Sequence, residues 1–262
     1  MPPILPLLTT GLVALAALMV AVWGLSVWLR NAGIVDVAWA AMFTPLAVVY
    51  AALGHGWPPR QVLLVVIVAV WSLRLAGHLL VRVRAEHPRE DSRYAALRAG
   101  WGDNANIRML LFFEVQALAA LVLSVPFAIV AVNPTPAFAG LEWLGVVVWA
   151  AGVAGEATAD WQLARFKHDP AHRGEVCQEG LWRYSRHPNY FFEWITWCGF
   201  ALVALGSPGG WLGLPVAPLM FYVMRYGTGV PHAEASSLRS RGDRYRAYQR
   251  TTNVFVPGPR RA

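Results

Sequence analysis

Residues 61–82 read QVLLVVIVAVWSLRLAGHLLVR, and the next cations, Arg84, Arg89, Arg93 and Arg98, follow in a polar stretch. Roughly 20 mostly apolar residues carry a helix across the hydrocarbon core of a bilayer. The run from Gln61 to Arg82 has that length and ends in cations, as a span leaving the membrane does. A helix satisfies its own backbone in lipid, so the run predicts a transmembrane helix rather than a buried strand.

Six further segments approach or meet the same length: about 4–28, 34–53, 108–132, 139–160, 190–206 and 210–227. Met1 to Leu29 has no basic n-region and runs on into more apolar sequence, so it reads as a first span and not a signal peptide. Asn133-Pro134-Thr135-Pro136 separates spans four and five, and Pro208-Gly209-Gly210 makes a tight hairpin between six and seven. Pro215 and Pro218 predict a kink in the seventh. With no internal repeat and no low-complexity linker, the chain reads as one all-α, polytopic membrane domain over 1–262, a bundle of about seven helices.

The cations orient it. Only 14% of residues are charged, against about a quarter in soluble domains. The net charge of +7 is almost all arginine, Lys167 being the only lysine. Cations cluster in the 82–108 connection, in the 161–189 connection, and after span seven from Arg239 to Arg261; the opposite loops offer only Arg60. The positive-inside rule then puts the N-terminus outside and the C-terminus in the cytoplasm. Arginines lying between apolar runs fit lipid headgroups and anionic cofactors, not nucleic acid. Cys177 and Cys198 are too few for a disulfide framework and match no metal-ligand spacing.

Ionisable residues inside spans are costly and mark function. Span five ends with Glu156 and Asp160, four apart and on one helical face, and leaves the membrane through Gln162, Arg165 and Lys167. The next motif runs from Gly180 through Tyr184, Arg186, His187, Pro188 and Asn189 to Glu193. Pro188 restricts His187 to extended geometry and opens a helix as its first residue, so span six begins near Asn189 with its free N–H groups beside Arg186 and His187. Asn189, Glu193 and Trp197 follow at spacings of four, one polar-aromatic stripe. In span three, Trp71, Arg74, His78 and Arg82 form a second stripe, with Asp36 or Glu114 as the available counter-charge for Arg74. The stretch from Ala235 to Arg250 is basic and amphipathic, suited to the inner leaflet or to a lid.

The run from Asp160 to Pro257 resembles the C-terminal region of the steroid 5α-reductase family, and the whole chain looks like its bacterial branch carried under a domain-of-unknown-function label. Residues 33–39, Trp71 to Arg82, and Glu90-Asp91-Ser92-Arg93-Tyr94 add similarity in the N-terminal half. The Arg186-His187-Pro188-Asn189-Tyr190 core is also similar to the isoprenylcysteine carboxyl methyltransferases; eukaryotic steroid reductases lack Arg186-His187-Pro188. The reductase resemblance implies NADPH in the C-terminal half, 139–262. Asp160 and Lys167 would meet the nucleotide, with Tyr184, Arg186, His187 and Asn189 around phosphates and nicotinamide and Glu193 lining the same pocket. Residues 1–132 would form the substrate side.

The implied reaction is hydride transfer to the conjugated C=C of a lipophilic ketone, with a proton donor on the carbonyl oxygen. His78, Tyr94 and Glu193 are the candidate catalytic acids. The rival implication is S-adenosylmethionine at Arg186–Glu193 and methyl transfer to a lipid or lipidated acceptor. A Rossmann domain is excluded as the binder, since no Gly-x-Gly-x-x-Gly occurs. A transporter would show paired broken spans in two halves, whereas the polar motifs here share one side.

Overall fold

The computed structural model describes residues 4–86 and 88–261, so residues 1–3 of the Met1 to Leu29 stretch that reads as a first span lie outside the described residues. Among these residues the fold is helical, with a single parallel bridge between Ser185 and Asn253 in place of any strand. The chain divides into two compact units, Met1–Phe138 with Ser207–Leu212, and Ala139–Gly206 with Gly213–Ala262.

The first unit holds α1 (Leu5–Leu29), α2 (Ile34–Ala41), α3 (Phe43–Leu53), α4 (Pro58–Glu86), α5 (Ser92–Trp101), α6 (Ala105–Leu123) and α7 (Val125–Ala131). Two of the sequence-predicted spans are interrupted, and prolines explain both breaks. Pro45 brings no N–H to the carbonyl of Ala41, and the hydroxyl of Ser72 on α4 stands 2.6 Å from the carbonyl of Ala40 and 3.4 Å from that of Ala41. Pro126 does the same for Val122, and the predicted span over 108–132 becomes α6 and α7 hinged at Ser124, whose hydroxyl meets Tyr50 Oη at 3.0 Å. Trp71, Phe43, Tyr50, Phe113 and Phe127 are fully buried between these helices.

Arg60 is not a surface topology charge. It is 1% exposed, donates to the carbonyls of Asn133, Thr135 and Ala137, and lies 5.3 Å and 5.6 Å from the ring centres of Trp57 and Phe138. Prolines 134 and 136 supply no N–H groups to this turn, so the guanidinium serves its carbonyls.

The second unit holds α8 (Gly140–His168), α9 (Pro188–Leu205), α10 (Val216–Tyr226), α11 (Val230–Arg241) and α12 (Asp243–Thr251). Helices α8 and α9 run antiparallel in backbone contact. A methyl group on Gly145 would stand 2.5 Å from Val203 N, one on Gly152 2.5 Å from Thr196 N, and one on Gly199 2.5 Å from Trp149 N. Glycines seven apart, at 145 and 152 and at 199 and 206, lie two turns apart on one face, so the closeness persists along the pair.

Among the described residues four stretches, Leu5–Leu29, Ile34–Leu53, Pro58–Ala85 and Ser92–Leu123, are long and apolar enough to cross a membrane, the make-up of an integral membrane protein. Helices α8, α9 and α10 are not among the four. Glu142, Glu156, Asp160, Asn189 and Glu193 interrupt the apolar runs of α8 and α9, and α10 has only 11 residues.

Candidate functional site

In the second unit, the α8–α9 contact sets residue 160 against residue 189. Asn189 Nδ2 donates to Asp160 Oδ1 at 3.2 Å, while its own Oδ1 accepts the Tyr190 N–H at 3.0 Å, so the carboxamide is held at both ends. One turn deeper, Glu193 is 4% exposed and accepts from Trp197 Nε1 at 2.9 Å. Asp160, Asn189, Glu193 and Trp197 thus line one interhelical strip, with buried Glu156 one turn from Asp160 on the same face of α8.

Pro188 is the first residue of α9 and His187 its N-cap, as the sequence predicts. The segment before it is pinned from both sides. Trp182 Nε1 donates to the Ala159 carbonyl at 2.9 Å, and Leu181 N donates to Gln162 Oε1 at 2.9 Å. Gly180, at φ 54°, admits the Gln162 side chain where a Cβ would stand. Behind it, Tyr248 Oη donates to the carbonyls of Trp182 and Ser185, Ser185 Oγ to Phe255 O, and Arg186 N to Asn253 O. The tail therefore straps residues 182–187. Its predicted single amphipathic stretch is two helices, broken at Gly242 (φ 50°), with Tyr245 and Tyr248 of α12 turned inward.

Glu234 on α11 is the centre of this strap. It accepts from Arg186 Nε at 2.6 Å, Tyr245 Oη at 3.2 Å and Gln249 Nε2 at 2.6 Å, and lies 3.3 Å from His187 Nε2. Burial pushes its carboxyl up, but the hydrogen bonds from His187 and Arg186 win and hold it at about 2. Burial pushes the His187 imidazole below its ordinary value against the opposing pull of Glu234. Arg186 Nη1 donates to the carbonyls of Gln249 and Thr252. Sequence reasoning gave Glu234 no role; the available signal was a lone carboxylate just past a helix-breaking Tyr226–Pro231 stretch. Lys167 and Tyr184 are exposed.

The first unit gathers the other polar motifs. Asp36 Oδ2 pairs with Arg93 at 2.7 Å and Arg82 at 3.3 Å, and Asp36 Oδ1 accepts the Tyr94 phenol at 2.5 Å. Asp91 pairs with Arg93 at 2.9 Å and caps α5 through the Arg93 N–H. Burial raises the Asp91 carboxyl, but Arg93 and Arg82 bring it below its ordinary value. Beside it, a cavity of about 10 Å³ among Asn31, Gly33, Asp36, Arg82, Arg89 and Asp91 has room for about one water. Asp36, expected as a counter-charge for Arg74, is instead engaged by cations at the end of α4 and start of α5; Arg74 lies eight residues earlier on α4, about 12 Å along the axis. His78 sits on an exposed face of α4. Of the three candidate acids, His78 and Tyr94 belong to the first unit, and Glu193 to the second.

A helical membrane chain with one half-exposed polar cluster in its first unit and one largely buried polar cluster in its second is the class these features define. Residues 22–252 match the family described as "Protein of unknown function (DUF1295)", and the chain belongs to that family. It is 26% identical over 225 residues to "Uncharacterized protein C594.04c" of Schizosaccharomyces pombe, a match covering 73% of this chain and 65% of the yeast protein. The chain thus spans less than two thirds of that relative's length. No solved structure matches it.

Proposed function

We propose that the protein is a membrane-embedded, NADPH-dependent reductase of a conjugated C=C bond in a lipophilic enone. The carrying observation is the Asp160–Asn189 hydrogen bond, with Glu193 one turn below it, inside a helix pair that also ends in exposed cations. The donor set fits the nucleotide. Carboxamide and carboxylate groups suit an amide and ribose hydroxyls, and Arg165, Lys167 and Arg183, all exposed, suit phosphates.

When bound, NADPH supplies the hydride. The chain's own residues bind, orient and exclude water. Asn189, fixed by Asp160 and the Tyr190 N–H, presents a carboxamide that does not swing. Glu193 and Trp197 close the inner end of the strip among buried side chains. The proton for the carbonyl oxygen is assigned to one of Tyr94, His78 and Glu193; the Tyr94 phenol hydrogen is already given to Asp36.

The reading carries with it a relation to the steroid 5α-reductases and a bacterial inner-membrane setting. Seven crossings with the N-terminus outside and the C-terminus in the cytoplasm belong to it too, with residues 1–132 on the substrate side and 139–262 on the cofactor side. The strapped Arg186-His187-Pro188 turn favours a second reading, an S-adenosylmethionine-dependent methyltransferase related to the isoprenylcysteine enzymes. Equilibrium binding of NADPH and of S-adenosylmethionine to detergent-purified protein separates the two. Binding of S-adenosylmethionine without NADPH defeats the reductase reading. NADPH oxidation across a panel of lipophilic enones then identifies the substrate class.

A further inference from the structure

His187 is 5% exposed, and its ring is constrained on three sides. The ring lies parallel to that of Tyr190, with centroids 5.6 Å apart and an interplanar angle of 6°. Its backbone is set by the following Pro188 and by a hydrogen bond from its own N–H to Ser185 Oγ at 3.1 Å. Nε2 faces Glu234 Oε1 at 3.3 Å, whereas Nδ1 has no hydrogen-bond partner among the described residues. An ionised carboxylate has lone pairs and no proton to give. Arg186, Tyr245 and Gln249 all donate to the same carboxylate and keep it ionised. The ring nitrogen against it must then carry the hydrogen, since two lone pairs at that distance repel.

We propose that Glu234 is a positioning residue that locks His187 in the Nε2–H tautomer and leaves Nδ1 as an acceptor for a hydroxyl or amide hydrogen of the ligand bound at the start of α9. The second half of this statement rests on the nucleotide reading given above; the tautomer does not. The charged and titratable groups around the ring are Arg186 beside it, Glu234 on α11, Tyr245 on α12 and Arg225 on α10. Burial, with a smaller push from the two arginines, disfavours a charged imidazole against the opposing pull of Glu234, so the ring stays neutral and Nδ1 keeps its lone pair. A carboxylate that fixes the tautomer of a working histidine acts through that histidine, not on the ligand.

Nitrogen-15 NMR of the full-length, histidine-labelled protein in lipid nanodiscs tests this, with His187 assigned by the signal missing from His187→Gln. The expected spectrum at neutral pH has Nε2 protonated and Nδ1 bare. A protonated Nδ1, or an even mixture of tautomers, in the wild-type protein overturns the proposal. Glu234→Gln, whose amide can donate or accept, should give mixed tautomers, and Glu234→Asp should restore the preference; an unchanged spectrum in Glu234→Gln overturns the role of Glu234. Adding NADPH should shift Nδ1, and Glu234→Gln should weaken NADPH binding about tenfold, the worth of roughly one hydrogen bond. NADPH that binds while leaving Nδ1 unmoved overturns the ligand half of the proposal. Failure of NADPH to bind at all sinks the reductase reading, while the tautomer result still stands or falls on the ligand-free spectrum.

Discussion

Gly152→Ala adds one methyl group where α8 and α9 touch. That carbon would stand 2.5 Å from Thr196 N and 2.9 Å from the Phe192 carbonyl oxygen, with Thr196 Oγ1 also in the way. Ordinary contacts of this kind are near 3.4 Å or longer, so α9 must retreat by roughly 1 Å from a close-packed partner. Overpacking of this sort costs about 1–3 kcal/mol, and backbone atoms that cannot rotate aside place this case at the upper end. Alanine returns up to about 1 kcal/mol through helix propensity. The net is a loss of about 2 kcal/mol, a factor of roughly 30 in the folded ratio. Gly77→Ala is the control: its new Cβ meets nothing within 4 Å, so only the propensity gain applies. Denaturant or thermal unfolding in matched detergent should therefore separate the two variants by about 3 kcal/mol. The same retreat pulls Asn189, two turns along, off Asp160, where the bond is already 3.2 Å long. NADPH affinity should fall with stability. A Gly152→Ala protein as stable as wild type, or a Gly77→Ala protein equally damaged, refutes the close-contact account.

Arg60→Met should cost about 1–3 kcal/mol, because the buried carbonyl of Asn133 and the part-buried carbonyls of Thr135 and Ala137 lose their donor, and Arg60→Lys should rescue little since one ammonium cannot span all three; melting in detergent reads both. Asp36→Asn and Tyr94→Phe should each destabilise by about 1–2 kcal/mol and, because they share one hydrogen bond, show coupling in a double-mutant cycle; strictly additive losses contradict the contact. Asn189→Ala should weaken NADPH binding about tenfold with little change in melting temperature, and unchanged affinity removes the α8–α9 strip from the site. Acid should act in two stages. Below about pH 6.5 the unfolded chain protonates His187 sooner than the folded chain does, and between about 4.5 and 2 it does the same for Glu234, so stability falls as pH drops through both windows. Glu234→Gln should lose the lower window, and a wild-type curve that is flat from pH 4.5 to 2 would contradict the strap.

Residue order alone made the helical membrane character plain, because an apolar run such as 61–82 has one way to satisfy its backbone in lipid. It also located the start of α9, since a proline ring dictates both its own φ and its neighbour's geometry whatever packs nearby. The Asn189, Glu193 and Trp197 stripe was legible for the same local reason, the fixed 3.6-residue turn. What surrounds that stripe was not. Glu234 lies 48 positions beyond Arg186 and Asp36 lies 57 before Arg93, and no periodicity links residues so far apart. Arg60 looked like a loop charge until the carbonyls of a proline-rich turn closed on it. Side-chain partners depend on how helices dock, and docking here turns on glycines whose only property is the absence of a Cβ. Local backbone rules are written in neighbouring residues; the pairing of charges is decided only when distant helices meet.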